Sequence, residues 1–69
     1  MITYYKLFDV LKRRQMTVEQ LRIDIQASSS TMTKLRKNQN VSIDVIDRIC
    51  DRLDCQPGDL MEFEKSLKS

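Results

Sequence analysis

Residues 17–37, TVEQLRIDIQASSSTMTKLRK, decide the fold. Thr17 and Ser28 are hydroxyl residues of the kind that caps the first turn of a helix, and each precedes apolar residues at helical spacing. Gln20 stands three residues after Thr17, which completes a capping-box pattern. The sequence therefore predicts two short helices, over 17–25 and 29–37, joined by a tight turn.

The apolar side chains of these two predicted helices can meet inside the corner that the turn makes. They are Leu21, Ile25, Met32 and Leu35. Two capped amphipathic helices at this spacing are typical of a helix-turn-helix. The alternative is a plain helical bundle in which the serine-rich turn is only a connector.

Three further predicted helices make the expected fold class all-α, a compact domain of five helices. The first covers 4–14, the fourth begins at its N-cap Ser42, and the fifth runs from Pro57 to about Phe63, since proline suits the first helical position. The fourth has the most regular apolar stripe and is expected to lie at the centre of the core. That stripe consists of Ile43, Ile46, Ile49, Cys50 and Leu53.

The length of 69 residues predicts a single domain, residues 1–69, because so short a chain cannot build two cores. Its core is expected over 4–63, with 64–69 as a frayed tail. No apolar run is long enough to cross a bilayer, and no leader pattern stands at residues 1–6, so a cytoplasmic protein without membrane contact is expected.

Enzymatic and cofactor chemistry have no motif in this sequence. The chain contains no histidine and no glycine-rich phosphate loop. The sequence therefore predicts no catalytic site, no metal site, no cofactor and no small-molecule ligand. Cys50 and Cys55 do not form a disulfide framework and are interpreted as reduced thiols that act as small apolar residues.

Charge is divided unevenly along the chain. Residues 1–40 hold eight basic and three acidic residues, whereas residues 41–69 hold four basic and seven acidic ones. The exposed face of the helix predicted over 29–37 is polar, basic at its end and free of acids, a surface that suits contact with duplex DNA.

The ordered succession of core and cap residues over about 4–63 resembles the Cro and lambda-repressor-like (Xre-type) helix-turn-helix domains, above all their short single-domain bacterial and phage members. The residues that carry the resemblance are Leu7, Leu11, Met16, Thr17, Leu21, Ser28, Thr31, Met32, Lys34, Leu35, Val41, Ser42, Ile49, Cys50 and the run LDCQPGDL at 53–60.

This resemblance implies sequence-specific binding of double-stranded DNA in transcription control, with the third helix in the major groove. The implied base contacts are Ser29, Ser30 and Lys34. The implied contacts with the DNA backbone or groove are Thr17, Val18, Thr31, Thr33, Lys37 and Asn38. A protein-interaction module on the same fold, such as an antitoxin or a partner of a larger regulator, is the alternative.

Two residues depart from the common pattern of that family, which often has a small residue at the position of Arg22 and glycine at the position of Gln26. Arg22 is expected to extend its charge outward, near the DNA backbone. A homodimer is expected at least on DNA, because a two-fold protein matches two half-sites. The apolar residues left over for its interface are Tyr5, Met61, Phe63 and Leu67, although Phe63 can instead close the core.

Overall fold

Four α-helices and two short strands form the fold in the computed structural model, which describes residues 1–65. The helices are α1 (Tyr5–Arg13), α2 (Val18–Asp24), α3 (Ser29–Arg36) and α4 (Ile43–Leu53). The strands β1 (Ile2–Thr3) and β2 (Glu62–Phe63) pair antiparallel, with Ile2 opposite Phe63 and Thr3 opposite Glu62. The predictions for the first four helices are confirmed.

Helices α2, α3 and α4 each begin at the hydroxyl cap that the sequence indicates. The hydroxyl oxygen accepts a hydrogen bond from a backbone N–H three residues on, which satisfies a donor that the first turn would otherwise leave unpaired. The pairs are Thr17 with Gln20 at 3.0 Å, Ser28 with Thr31 at 3.2 Å, and Ser42 with Val45 at 3.2 Å.

The turns that follow the helices use the left-handed backbone conformation without glycine. The residues with positive φ are Gln15, Gln26, Asn38 and Asp54, one after each α-helix, at φ values of 53–58°. Asn38 is the residue that the sequence indicates for the end of α3. Gly58, the one glycine of the chain, is not among these positions.

The predicted fifth α-helix is wrong. Residues Pro57–Asp59 form a single 3-10 turn, in which the Asp59 carboxylate accepts a hydrogen bond from the Gln56 backbone at 3.0 Å, and Glu62–Phe63 form β2. The reason is a long-range pairing. The Glu64 N–H donates to the Met1 carbonyl at 2.7 Å, and the Met1 ammonium group donates to the Glu64 carbonyl. The domain is thus mostly helical, with four α-helices in the described part.

The core gathers apolar residues from every α-helix and from the segment after the 3-10 turn. Its buried members are Tyr4, Leu7, Val10, Leu11, Leu21, Ile25, Met32, Leu35, Ile46, Ile49, Leu53 and Leu60. Ile43 was expected among them, but its side chain is 76% exposed because it opens the first turn of α4 on the side away from the core. Within the predicted frayed tail, Glu64 has its backbone paired, and residues 66–69 lie outside the described part.

Candidate nucleic-acid interface

The α2–α3 unit is built around the left-handed residue Gln26. Its N–H donates to the Ile23 carbonyl at 3.1 Å, and the Ala27 N–H donates to the Arg22 carbonyl at 3.0 Å. This pair of bonds is the Schellman pattern that ends a helix and reverses the chain within two residues. Leu21 and Leu35 are both completely buried, so the two helices share one core. The predicted helix-turn-helix is confirmed.

The outer face of α3 consists of four exposed polar residues of the helix and the lysine that ends it. These are Ser29, Ser30, Thr33, Lys34 and Lys37. The sequence contains no acidic residue between Asp24 and Asp44, so the face and the turns on either side of it carry only positive charge. Within residues 1–65, neither lysine of this face forms a salt bridge, which leaves both ammonium groups able to meet an anion.

Hydroxyl groups crowd the start of this face. The Ser28 Oγ lies 3.0 Å from the Ser30 Oγ and 3.0 Å from the Thr31 Oγ1. The Thr33 hydroxyl donates to the Ser29 carbonyl at 3.1 Å. Small hydroxyl side chains let a helix approach a groove closely, and each can donate or accept a hydrogen bond.

The other residues expected to contact DNA differ in their exposure and in the hydrogen bonds that they already make within the fold. Thr17 is exposed and keeps its hydroxyl hydrogen free, since the oxygen acts only as acceptor in the cap. Val18 and Thr31 are half-buried. Asn38 is also half-buried, and its Oδ1 accepts a hydrogen bond from the Tyr4 backbone at 3.0 Å. The amide nitrogen of Asn38 is therefore the group of this side chain with no bond to the rest of the described residues.

Arg22 does not extend into solvent as the sequence suggested. Its Nε donates to the Glu19 carboxylate at 2.9 Å, its Nη2 binds the second oxygen of that carboxylate, and its Nη1 donates to the Ala27 carbonyl at 3.3 Å. The hydrogen bond from Arg22 lowers the pKa of Glu19 below its ordinary value. The charge of Arg22 is thus used inside the α2–α3 unit.

Arg36 is a cation that the predicted site omits. It is exposed on α3 and lines a shallow groove between α2 and α3 with Arg22, Ser29 and Thr33. Its position on the α3 periodicity, three residues after Thr33, is the signal that could have added it. Glu19 also lines this groove and is paired with Arg22, so Arg36 is the one cation that the groove adds to the interface beside the lysines.

The two cysteines are free and half-buried against the core. Burial raises the pKa of both thiols above the ordinary value. At neutral pH both are therefore protonated and weakly nucleophilic, which agrees with their interpretation as small apolar residues. Among residues 1–65, no cluster of cysteine and acidic side chains is arranged to hold a metal ion, and no helix is long and apolar enough to cross a membrane.

The fold and the basic outer face of α3 define a helix-turn-helix DNA-binding domain. Residues 6–66 match the family of Cro/C1-type HTH DNA-binding domains, and the chain belongs to this family. The resemblance stated from the sequence is therefore confirmed, and the protein binds DNA as a small transcriptional regulator of that class.

Two individual proteins are similar to this chain. An uncharacterized HTH-type transcriptional regulator of Bacillus subtilis (strain 168), YozG, is 32% identical over 56 residues, which cover 78% of this chain and 67% of the relative. The crystal structure of the transcriptional regulator VanUg (Form II) superposes with a TM-score of 0.86 at 43% identity, covering 88% of this chain and 81% of that one.

Proposed function

We propose that α3 enters the major groove of duplex DNA and that Ser29, Ser30 and Lys34 contact base edges. The observation that carries this proposal is the outer face of α3, which is exposed, free of acids, built from small hydroxyls at its start and basic at its end. The Lys34 ammonium group can donate hydrogen bonds to the acceptors of guanine. The serine hydroxyls can form hydrogen bonds with either donors or acceptors on the bases.

The remaining residues of the proposed interface contact phosphates or the walls of the groove. They are Thr17, Val18, Thr31, Thr33, Lys37 and Asn38. Lys37 is exposed at the end of α3 and supplies a point charge, while Asn38 offers its amide nitrogen as a donor. These contacts orient the domain and carry little sequence information, because phosphates are the same at every base pair.

Five large apolar side chains are exposed in the described part of the chain, and none belongs to α3. They are Met1, Tyr5, Ile23, Ile43 and Phe63. A version of this fold that docks a protein through α3 needs apolar side chains on that helix to anchor the partner. Their absence from α3 supports DNA as the ligand of the outer face.

The proposed assembly on DNA is a homodimer that joins through the end of the molecule holding β2. Phe63 is 66% exposed and Tyr5 is 52% exposed, whereas Met61 is half-buried against the core. The exposure of Phe63 removes the alternative in which its side chain closes the core. Leu67, the fourth residue expected in this interface, lies outside the described residues.

Selection of bound duplexes from a random pool tests the docking, followed by titration of variants at two salt concentrations. Lys34→Ala is expected to weaken the selected duplex by about 1–3 kcal/mol and to relax the preference at one position. Lys37→Ala is expected to weaken all duplexes alike and to lower the salt slope by about one.

The matched control is Lys12→Ala, which removes an exposed cation of α1 outside the α2–α3 unit. If Lys34→Ala and Lys37→Ala bind as the unaltered protein does, the assigned face is wrong. The mass of the complex between the protein and the selected duplex, measured with and without the Phe63→Ser substitution, tests the assembly. An unchanged mass for that variant contradicts the proposed dimer interface.

A further inference from the structure

Two guanidinium groups bind backbone carbonyls of the turn between α2 and α3. The Arg22 Nη1 donates to the Ala27 carbonyl at 3.3 Å, and the Arg48 Nη1 donates to the Ile25 carbonyl at 3.3 Å. The Ile25 carbonyl stands at the C-cap of α2, where carbonyls have no partner within the helix and lie at the negative end of its dipole, and the Ala27 carbonyl lies two residues further on, just before α3. One cation from α2 and one from α4 therefore satisfy the two sides of the turn that leads into α3.

Each of these guanidinium groups is held on its other side by a carboxylate. Arg22 is paired with Glu19, and Arg48 is paired with Asp44 at 2.7 Å. A third link, from Arg52 to Asp24 at 2.7 Å, joins α4 to the last residue of α2. These pairs neutralise the arginines locally and direct their planar donors at the protein backbone.

The turn held in this way has little conformational preference of its own. Gln26 adopts a φ of 56°, a conformation that is unfavourable for a residue with a side chain. The direction of α3 relative to α2 depends on that conformation and on the few residues around it. The arginine contacts restrain the conformation of this turn, whereas glutamine at position 26 does not favour it.

We propose that Arg22 and Arg48 are positioning residues for base recognition, which fix the α2–α3 turn and so the angle at which α3 presents its outer face. This inference rests on the proposed docking of α3 in the major groove. A helix of eight residues is about 12 Å long, so a tilt of roughly 10° at the turn moves its far end by about 2 Å. That displacement is larger than the range of distances over which a hydrogen bond forms.

The displacement from such a tilt grows with distance from the turn, so it is small at Ser29 and Ser30 and larger at Lys34 and Lys37. In the proposed docking, Lys34 meets a base edge only within a narrow range of directions, whereas Lys37 can reach a phosphate from many positions on its flexible stem. Loss of the restraint therefore lowers affinity for the selected duplex and leaves affinity for random duplex unchanged. The ratio of the two affinities is the quantity that reports positioning.

The test uses Arg22→Lys and Arg48→Lys, which keep the charge and lose the planar fork that binds a carboxylate and a carbonyl together. Each variant is expected to bind the selected duplex about tenfold more weakly, with random-duplex affinity and salt slope unchanged. Arg13→Lys is the matched control, because Arg13 pairs with Asp9 on the exposed side of α1 and does not contact the turn. All titrations are made at a temperature where circular dichroism shows each variant folded.

A second measurement needs no DNA. The amide hydrogens of Gln26 and Ala27, which close the turn, are expected to exchange faster in both lysine variants, while the amide of the buried Ile49 keeps its rate. Equal acceleration of all three amides indicates a general loss of stability and overturns the proposal.

The binding data separate failure of this inference from failure of the docking. If the unaltered protein selects a duplex and both lysine variants keep its affinity ratio, the positioning role is wrong and the docking stands. If Arg22→Ala or Arg48→Ala lowers the salt slope by about one while the lysine variant does not, the arginine contacts phosphate and the proposal is overturned. If the unaltered protein selects no duplex, the docking and this inference are both wrong.

Discussion

The hydroxyl of Tyr4 donates a hydrogen bond to the Gln39 carbonyl at 3.0 Å, and this bond joins the start of α1 to the loop after α3. The Tyr4 backbone N–H is bound by Asn38 Oδ1 from the same loop. Tyr4 is only 4% exposed, so both bonds are shielded from water. The end of α3 that carries Lys37 is thus held against α1 by one buried side chain.

Tyr4→Phe is expected to destabilise the domain by about 0.5–1.5 kcal/mol, because the Gln39 carbonyl loses its donor while the ring still fills the core. Urea unfolding followed by circular dichroism measures the change. Tyr5→Phe is the control, since Tyr5 is 52% exposed and the same hydroxyl deletion there is expected to have a much smaller effect. Equal effects at the two positions contradict the role assigned to the Tyr4 hydroxyl.

Gln26→Gly is expected to stabilise the domain by roughly 0.5–1 kcal/mol. Glycine removes the cost of the left-handed conformation at φ 56°, and the greater freedom of the unfolded chain offsets part of that gain. For a domain of this size, such a gain raises Tm by about 2–8 °C. Thermal unfolding of the variant measures it.

Asn38→Gly provides the contrast to this substitution, although Asn38 has a nearly identical φ of 58°. Its Oδ1 is the acceptor for the Tyr4 N–H, and glycine removes that acceptor. The loss of this bond is expected to cancel or exceed the relief of strain. If Asn38→Gly clearly stabilises the domain, the Asn38–Tyr4 hydrogen bond does not contribute to its stability.

The pH dependence of stability is expected to reflect the Glu19–Arg22 pair. The pKa of Glu19 is lowered in the folded state, chiefly by the hydrogen bond from Arg22. A group with a depressed folded pKa stabilises the fold above its unfolded pKa, near the ordinary value of 4.5, and loses that contribution as pH falls through the folded pKa.

Glu19→Gln is therefore expected to lower stability at pH 7 and to flatten the decline of stability below pH 4.5. Urea unfolding at a series of pH values measures both effects. Glu64→Gln is the control, as its exposed carboxylate forms no ion pair among residues 1–65. Parallel pH profiles for Glu19→Gln and the unaltered protein contradict the prediction.

Two isoleucines of α4 are expected to differ sharply in their tolerance of truncation. Ile49 is completely buried, so Ile49→Ala is expected to cost about 2–5 kcal/mol through lost apolar burial and the cavity left behind. Ile43 is 76% exposed, and Ile43→Ala is expected to change stability by less than about 0.5 kcal/mol. Similar losses at both positions contradict the burial described for α4.

The local features of the fold could be predicted because each depends on neighbours in the chain. The hydroxyl caps Thr17, Ser28 and Ser42 follow from residue type and spacing. Ile43 was misplaced because it fits the α4 period, yet the first turn of a helix need not face the core. The strand β2 was missed for a different reason. Two residues are too few to show an alternating pattern, and their partner is β1, at the other end of the chain.

The exposure of the polar face of α3 could be predicted from the sequence, but the contacts that hold α3 in place could not. The exposed polar face of α3 follows from helical periodicity, which places Ser29, Thr33 and Lys37 one turn apart. The contact of Arg48 with the Ile25 carbonyl joins residues that are 23 positions apart, and no local pattern indicates it. The sequence predicts that Arg22 faces solvent. It does not show that the turn directs the Ala27 carbonyl back toward α2, where the Arg22 guanidinium binds it.

The pairing of β1 with β2 also bears on the order in which the domain folds. Met1 and Glu64 are 63 positions apart, whereas the bonds within the α-helices link residues four apart. Closing so long a loop is entropically costly until the helices have collapsed and shortened the distance between its ends. We therefore expect the strand pair to form after the rate-limiting step, so that substitutions in β2 accelerate unfolding and leave the folding rate unchanged.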